Sequence, residues 1–68
     1  MAVSYKKLFK LMIDRDIKKK QLKEITGLSY GTIAKIERGE NVQMDVLDKI
    51  CVKLKCQLSD IAEILFDD

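Results

Sequence analysis

Apolar residues recur at helical spacing in three long segments of the chain. In the first they stand at i, i+3, i+4, i+7 and i+8, which is typical of an amphipathic helix of about eleven residues. That helix is expected to end near residues 14–16. The three apolar stripes consist of Tyr5, Leu8, Phe9, Met12 and Ile13, of Leu47, Ile50, Cys51 and Leu54, and of Leu58, Ile61, Ala62 and Leu65.

Two shorter segments between the first and second stripes also have helical spacing. Their apolar anchors are Leu22 and Ile25 in residues 18–26, and Ile33 and Ile36 in residues 30–38. No segment alternates apolar and polar residues for long enough to form a convincing strand, and the only strand-like segment is residues 1–5. We therefore predict an all-α fold of five short helices.

Helices of this length are too short to be stable alone in water, so a shared core must hold them together. The chain has 68 residues, which is room for one small domain, residues 1–68. The predicted core consists of Met12, Leu22, Ile25, Ile33, Ile36, Leu47, Ile50, Leu54 and Ile61.

The composition excludes several classes of protein. With 35% charged and 47% hydrophobic residues, the chain has the balance of a soluble globular domain. No apolar run approaches the roughly 18 residues of a transmembrane helix, so a cytoplasmic location is expected. The chain has no His and only two Cys, which excludes a four-ligand zinc site and leaves few groups for catalysis. We expect no enzyme, no metal and no cofactor.

The net charge of +2 conceals an asymmetry along the chain. Residues 1–38 contain ten basic and four acidic residues, a net charge of +6. Residues 39–68 contain three basic and seven acidic residues, a net charge of −4. A basic half favours a polyanion such as DNA, although scattered solvated surface charge is an equal alternative until a motif supports the first interpretation.

The middle of the chain has the spacing of a helix-turn-helix motif. Gly27 can take the left-handed conformation that closes a helix, Leu28 fills the corner, and Ser29 offers an N-cap oxygen to the next helix, which Gly39 ends. The second helix of such a motif can enter the major groove of DNA. The alternative is an ordinary corner between two helices that touches no ligand.

The order L-x4-G-L-S-x3-I-x2-I-E-x-G in residues 22–39, followed by NVQMDVLDKICVKLKCQLSDI in residues 41–61, resembles the lambda-repressor-like helix-turn-helix domains of the Cro and XRE type. It is especially similar to their small stand-alone subgroup, known as YozG-like. The similarity extends over residues 5–64. It implies a compact five-helix domain of bacterial or phage origin that regulates transcription by binding double-stranded DNA, often as a homodimer on a palindromic operator.

The resemblance also implies which residues contact DNA. The second helix is expected to point its N-terminus, with Lys18, Lys19 and Lys20, at a phosphate, where the cations add to the attraction of free N–H groups. A solvated run of lysines is the alternative. Arg38 and Asn41, just beyond the third helix, are candidates for the flanking DNA backbone.

The third helix is expected to face the groove with Ser29, Tyr30, Gly31, Thr32 and Lys35. Lys35 can donate to the O6 and N7 of guanine, and Tyr30 offers a hydroxyl and a ring edge for a thymine methyl. Ser29 and Thr32 suit phosphate oxygens, although Ser29 is equally suited to be only a helix cap. Gly31 suggests a close approach of the helix backbone.

Some residues depart from the family pattern. Many relatives have Gln where Lys19 stands and Ala where Lys23 stands, so Lys23 must direct its charge outward or the two helices must sit slightly apart. Lys55 stands where Gly or Asn often ends the fourth helix. Glu37 matches a family acid, but the Arg that often pairs with it is replaced by Met12, and we assign Glu37 no role in DNA binding.

The two cysteines have two possible roles. Cys51 lies on the apolar stripe of the fourth helix and Cys56 precedes the fifth, so core packing is the favoured interpretation for both. A redox switch is the alternative, although a disulfide across a helix end would need local distortion, and a reducing cytosol opposes it.

The end of the chain suggests a homodimer. Ile64 and Phe66 fall off the predicted stripe of the fifth helix and would form an exposed apolar patch. Two-fold pairing through Ile61, Ile64, Leu65 and Phe66 would cover it and place two recognition helices about 34 Å apart. The alternative is that Phe66 folds back onto its own domain.

The leading function is therefore a sequence-specific DNA-binding regulator, expected to be a repressor that acts by occupying a promoter. An activator remains possible if the acidic half contacts polymerase. The alternative from another class is a protein-interaction module, such as an antitoxin or anti-repressor, on the same fold. The operator, the regulated genes and any inducer are not evident from the sequence.

Overall fold

The computed structural model describes residues 2–66. Residue 1 of the strand-like segment and the last two acidic residues lie outside this range. The elements in order are strand β1 (Ala2–Ser4), helices α1 (Lys6–Asp14), α2 (Lys19–Thr26), α3 (Tyr30–Glu37) and α4 (Met44–Leu54), a 3-10 turn (Leu58–Asp60) and strand β2 (Glu63–Leu65). The predicted helical fold, with the helix-turn-helix formed by α2 and α3, is confirmed.

The prediction of a fifth helix is wrong. In its place are the single 3-10 turn and then β2, which pairs antiparallel with β1 so that Val3 lies opposite Ile64. The strand-like start of the chain supplies the partner, and the run Ile64, Leu65 and Phe66 suits a strand because β-branched and aromatic residues pack well on a pleated surface. Over so short an apolar segment, helical spacing alone does not distinguish the two structures.

A residue with a left-handed backbone conformation ends or closely follows each of the four helices. Gly27 closes α2 at φ 74°, as predicted, and Gly39 follows α3 at φ 72°. Lys55 closes α4 at φ 54°, so this side chain occupies the strained position that the family pattern usually gives to Gly or Asn. Asp16 takes φ 55° just beyond α1.

The core is formed by one side of each helix together with the residue that follows the 3-10 turn. Its most completely buried side chains are Leu8, Leu22, Ile33, Ile36, Ile50 and Ile61. Met12, Leu47 and Leu54 are also buried, as predicted, and Tyr5 and Leu28 complete the cluster. Among residues 2–66 no helix is long and apolar enough to cross a membrane.

Of the apolar residues predicted for the first four helices, two lie outside this core, and one of them, Ile25, was a predicted core residue. Ile13 is 78% exposed at the end of α1, and Ile25 is 39% exposed on α2. The buried position on α2 goes to Thr26, whose hydroxyl donates to the carbonyl of Leu22 at 2.7 Å and accepts the N–H of Leu28 at 3.3 Å. These two hydrogen bonds replace those that the hydroxyl would form with water, so they offset the cost of burying Thr26 beside the turn.

Tyr5 and Arg15 each donate a hydrogen bond to a backbone carbonyl in a distant segment of the chain. The Tyr5 hydroxyl donates to the carbonyl of Glu40 at 3.1 Å and so ties the start of α1 to the loop after α3. Burial raises the pKa of this phenol. Arg15 donates to the carbonyl of Leu54, one of the orphan carbonyls at the end of α4. These two bonds join the start of α1 to the loop after α3, and the residue after α1 to the end of α4.

Candidate nucleic-acid interface

Helix α3 turns a polar face to solvent while its other face enters the core. Ile33 and Ile36 are buried, whereas Tyr30 is 58% exposed. Of the other candidates on this helix, Gly31 and Lys35 are exposed and Thr32 is half-buried. The structure therefore brings these candidates together on the outer side of one helix, where a duplex could contact them.

Ser29 fixes where α3 begins. Its Oγ accepts the backbone N–H of Thr32 at 3.2 Å and lies 3.1 Å from the Thr32 hydroxyl. The N-cap interpretation is thus confirmed. A phosphate contact by Ser29 would have to use the hydroxyl proton, because the oxygens of the DNA backbone only accept hydrogen bonds, and the cap leaves this proton available since it uses Oγ as an acceptor.

Gly31 is not required by the fold of the free protein. A Cβ built at this residue would meet only Ser29 Oγ, at 3.8 Å, which is an ordinary contact. Its backbone φ is not in the left-handed region. The absence of a side chain at Gly31 therefore leaves open space on the outer face of α3, and the expectation of a close backbone approach to DNA stands as a prediction.

The N-terminus of α2 exposes three lysines in succession. Lys18 is the N-cap residue, and its backbone N–H donates to Gln21 Oε1 at 2.8 Å. Lys19 and Lys20 occupy the first turn, where the N–H groups of the helix have no partner within the helix. The lysine ammonium groups and the positive end of the helix dipole would act on a phosphate together.

Lys19 forms an ion pair that the sequence did not indicate. Its Nζ lies 2.7 Å from Glu37 Oε2, so the start of α2 is joined to the end of α3. Lys19 thus takes the place of the arginine that the family pattern pairs with this acid. The two residues are 18 positions apart, and only the packing of α2 against α3 brings them together.

Lys23 also contacts α3, and no pattern in the sequence indicates this contact. Its Nζ lies 4.8 Å from the centroid of the Tyr30 ring, within the range of a cation–π interaction. The half-buried Lys23 therefore directs its charge outward along the ring of a candidate base-contacting residue. Of the two outcomes expected for this unusual lysine, the structure shows the outward one.

Arg38 and Asn41 follow α3 and are both exposed. The Arg38 guanidinium pairs with the Glu40 carboxylate. Hydrogen bonding to Arg38 lowers the pKa of Glu40, and the same bond raises the pKa of Arg38. Because the carboxylate partly neutralises it, Arg38 is a weaker candidate for a phosphate contact than Lys18 and Lys20.

Of the four residues expected at a dimer interface, the structure buries one and exposes three. Ile61 follows the 3-10 turn and is 0% exposed in the chain's own core. The prediction that it lies at the interface is therefore wrong. Ile64 and Leu65 are exposed on β2, and Phe66 is 73% exposed. The alternative in which Phe66 folds back onto its own domain is therefore wrong.

Comparisons with known proteins agree with this geometry. Residues 7–67 match the sequence profile of a family described as the Cro/C1-type HTH DNA-binding domain. The chain is also similar to a solved structure of the transcriptional regulator VanUg, with 50% sequence identity and a TM-score of 0.92. That match covers 97% of this chain and 88% of the VanUg chain. No curated protein sequence gives a significant match.

Proposed function

The chain belongs to the Cro/C1-type HTH DNA-binding family, and from this we propose that it is a transcriptional repressor that acts by occupying a promoter. The observation that carries the proposal is the outer face of α3, which is polar and exposed beside the lysine-rich start of α2. The resemblance to the regulator VanUg over nearly the whole chain supports the same role. Such a protein would work in the cytoplasm of a bacterium, where its DNA lies.

In this proposal α3 lies in the major groove as the recognition helix. Tyr30 and Lys35 contact base edges, and Thr32 and Ser29 contact phosphates at the start of the helix. Gly31 lets the backbone of α3 come close to the floor of the groove. The ring of Tyr30 is already restrained by Lys23, so less side-chain entropy is lost when the ring meets a base.

The lysines of α2 hold the duplex in register in this arrangement. Lys18 and Lys20 bind the phosphate at the N-terminus of α2, and Lys19 contributes when it exchanges Glu37 for phosphate. Asn41 and, more weakly, Arg38 reach the flanking backbone. These contacts carry no sequence information, so they set affinity and its salt dependence rather than the choice of operator.

We further propose that two copies pair through Ile64, Leu65 and Phe66. In the described part of the chain β2 pairs only with β1, so its other edge is free for a second β2. Three exposed apolar side chains beside a free strand edge favour such pairing. A two-fold axis at β2 would place two recognition helices about one DNA turn apart on a palindromic operator.

The same apolar end of the chain supports one alternative function. A protein partner rather than a second copy could bind Ile64, Leu65 and Phe66, as in an antitoxin or anti-repressor on this fold. In that case the exposed face of α3 would not select a DNA sequence. The two functions therefore differ in whether Tyr30 and Lys35 matter for activity.

Transcription in vitro tests repression directly. An operator obtained by selection from random DNA would be placed either between the promoter elements or upstream of them, and transcripts would be measured as protein is added. Occupancy predicts that transcription falls for the first placement and not for the second. Increased transcription from the upstream placement would instead establish an activator, and no effect in either placement would contradict a direct role at promoters.

A further inference from the structure

Cys51 and Cys56 meet at the C-terminal end of α4. The helix ends at a left-handed residue, Lys55, and the backbone N–H of Cys56 donates to the carbonyl of Cys51 at 3.0 Å. This bond defines a Schellman motif, in which the side chains of the two bonded residues commonly contact each other. In this chain both of those positions hold a thiol.

The two thiols share one surface cleft. Cys51 and Cys56 are both half-buried and both free, and they line a cleft of about 220 Å³. The other residues that line it are Met44, Leu47, Asp48, Gln57 and Leu58. Because both side chains line this one cleft and their backbones are joined by a hydrogen bond, the two thiols are neighbours. Each is only half-buried, so solvent can reach it.

The composition of this cleft restricts the ligand it can hold. Residues 2–66 contain no cluster of three or more His, Cys, Asp or Glu side chains, so the four ligands of zinc cannot be assembled there. Two thiolates are sufficient for a soft ion with a filled d shell, such as Cu(I) or Ag(I), which accepts linear two-coordinate binding and prefers sulfur.

We propose that Cys51 and Cys56 form a two-thiolate binding site for a soft monovalent cation, of which Cu(I) is the cellular representative. Binding forms two metal–sulfur bonds and releases the two thiol protons to solvent, and no electron is transferred. The charge at the site changes from zero to −1. This site is separate from the DNA-contacting residues, and its existence does not depend on the proposed function.

The release of protons fixes the direction of the pH dependence. Because each thiol loses its proton when it binds the cation, the apparent affinity should increase with pH, by about tenfold per unit for each proton displaced.

Competition with a coloured chelator tests the proposal. The full chain, reduced and under argon, would be titrated with Cu(I) against bicinchoninate, with ascorbate present to keep the copper reduced. We expect one Cu(I) per chain and an affinity that falls by about 100-fold or more in either Cys51→Ser or Cys56→Ser, since outer-shell changes alone cost about 10- to 100-fold. Circular dichroism would verify that each variant is folded.

Matched controls distinguish this site from unspecific binding. Met44→Leu removes a sulfur that lines the same cleft, and we expect its affinity for Cu(I) to remain within about threefold of the original, because a thioether is not required for linear binding. Alkylating both thiols of the unmodified chain should abolish binding without any mutation. Unchanged binding in the double variant Cys51→Ser/Cys56→Ser, or one Cu(I) shared by two chains, would overturn the proposal.

Discussion

Glu37 places a negative charge among the cations of the proposed DNA-binding surface. Its carboxylate lies 2.7 Å from Lys19 Nζ, and both side chains are partly exposed, at 35% and 58%. Water screens such a pair, so its contribution to the free energy of unfolding is at most about 1 kcal/mol. Its larger effect is expected on the affinity for DNA. Glu37 forms an ion pair with Lys19, which is proposed to bind phosphate, and its own charge repels phosphate.

Replacing Glu37 with Gln should strengthen binding to DNA of arbitrary sequence. The free Lys19 can then neutralise a further phosphate, which makes the slope of log K against log salt steeper by up to about 0.9. Fluorescence anisotropy with a labelled duplex at several salt concentrations measures both quantities. The control is Glu63→Gln, which makes the same change in charge on β2, where Glu63 is paired with Lys7 of α1. Equal effects of the two variants would contradict a specific role for Glu37.

Tyr5 should make the fold sensitive to alkaline pH. Burial raises the pKa of its phenol above the ordinary value of 10.0, so the neutral form is favoured in the folded chain. The resulting stability is present below the pKa of the unfolded chain and is lost as the pH rises through the folded pKa. Thermal unfolding should therefore show a loss of stability above about pH 10.

The variant Tyr5→Phe separates this effect from the general loss of lysine charge at high pH. It removes the hydrogen bond to Glu40, which should cost about 1 kcal/mol near neutral pH, and it should flatten the alkaline decline. Tyr30→Phe is the control, because it removes the same hydroxyl from a tyrosine that is 58% exposed. An unchanged alkaline decline in Tyr5→Phe would show that burial of this phenol is not its cause.

The sequence predicts the roles that single residues play in their own segment of backbone. It does not predict which side chains of two different helices contact each other. The left-handed Gly27 and the N-cap Ser29 follow from the conformational freedom of glycine and from the short hydroxyl side chain. Lys19 with Glu37 and Lys23 with Tyr30 required the relative placement of α2 and α3. The strain at Lys55 depends on its backbone angle, which the residue type alone does not determine.

At the scale of single elements, the end of α4 carries avoidable strain. Lys55 holds φ 54°, a conformation in which its Cβ crowds the following carbonyl. Lys55→Gly should therefore stabilise the protein by about 1 kcal/mol, measured as an increase in the urea midpoint with an unchanged m value. Lys53→Gly, inside α4, should lower stability by about the same amount, because glycine in a helix interior loses more conformational entropy. Destabilisation by Lys55→Gly would contradict the strain.

The first four helices were predictable because each carries apolar residues at helical spacing, and α2 and α3 also have terminal signals at Gly27 and Ser29. The last predicted helix had the stripe without a suitable end. Ile61 is buried in the core directly after a single 3-10 turn. No further helical turn is needed to bury it, and the next residues pair with β1 as a strand. The strand depends on a partner some sixty residues away, and this contact has no local signature in the sequence.

At the scale of the whole molecule, the free edge of β2 should make the protein a dimer. The chain extends 37 × 23 × 17 Å, and its exposed Ile64, Leu65 and Phe66 lie at one end of the sequence. Sedimentation of the wild-type chain at high micromolar concentration should give the mass of two copies. Phe66→Asp should give a monomer and bind a palindromic operator at least about tenfold more weakly, because charge repulsion and desolvation oppose pairing.

Val52→Asp is the matched control for this experiment. Val52 is also an exposed apolar residue, 64% exposed, but it lies on α4 rather than beside β2. It should leave both the mass and the operator affinity nearly unchanged. A wild-type chain that remains monomeric at high micromolar concentration, or a Val52→Asp variant that is as impaired as Phe66→Asp, would contradict pairing through β2.

Selection from a random pool of double-stranded DNA at about 150 mM salt tests the central claim most directly. The proposed face of α3 predicts a palindromic motif whose half-site centres lie about ten base pairs apart. In the variant Tyr30→Ala/Lys35→Ala the motif should disappear, while salt-dependent binding through the lysines of α2 remains. Recovery of DNA without a motif by the wild-type chain, or an unaltered motif in the variant, would contradict sequence recognition by α3.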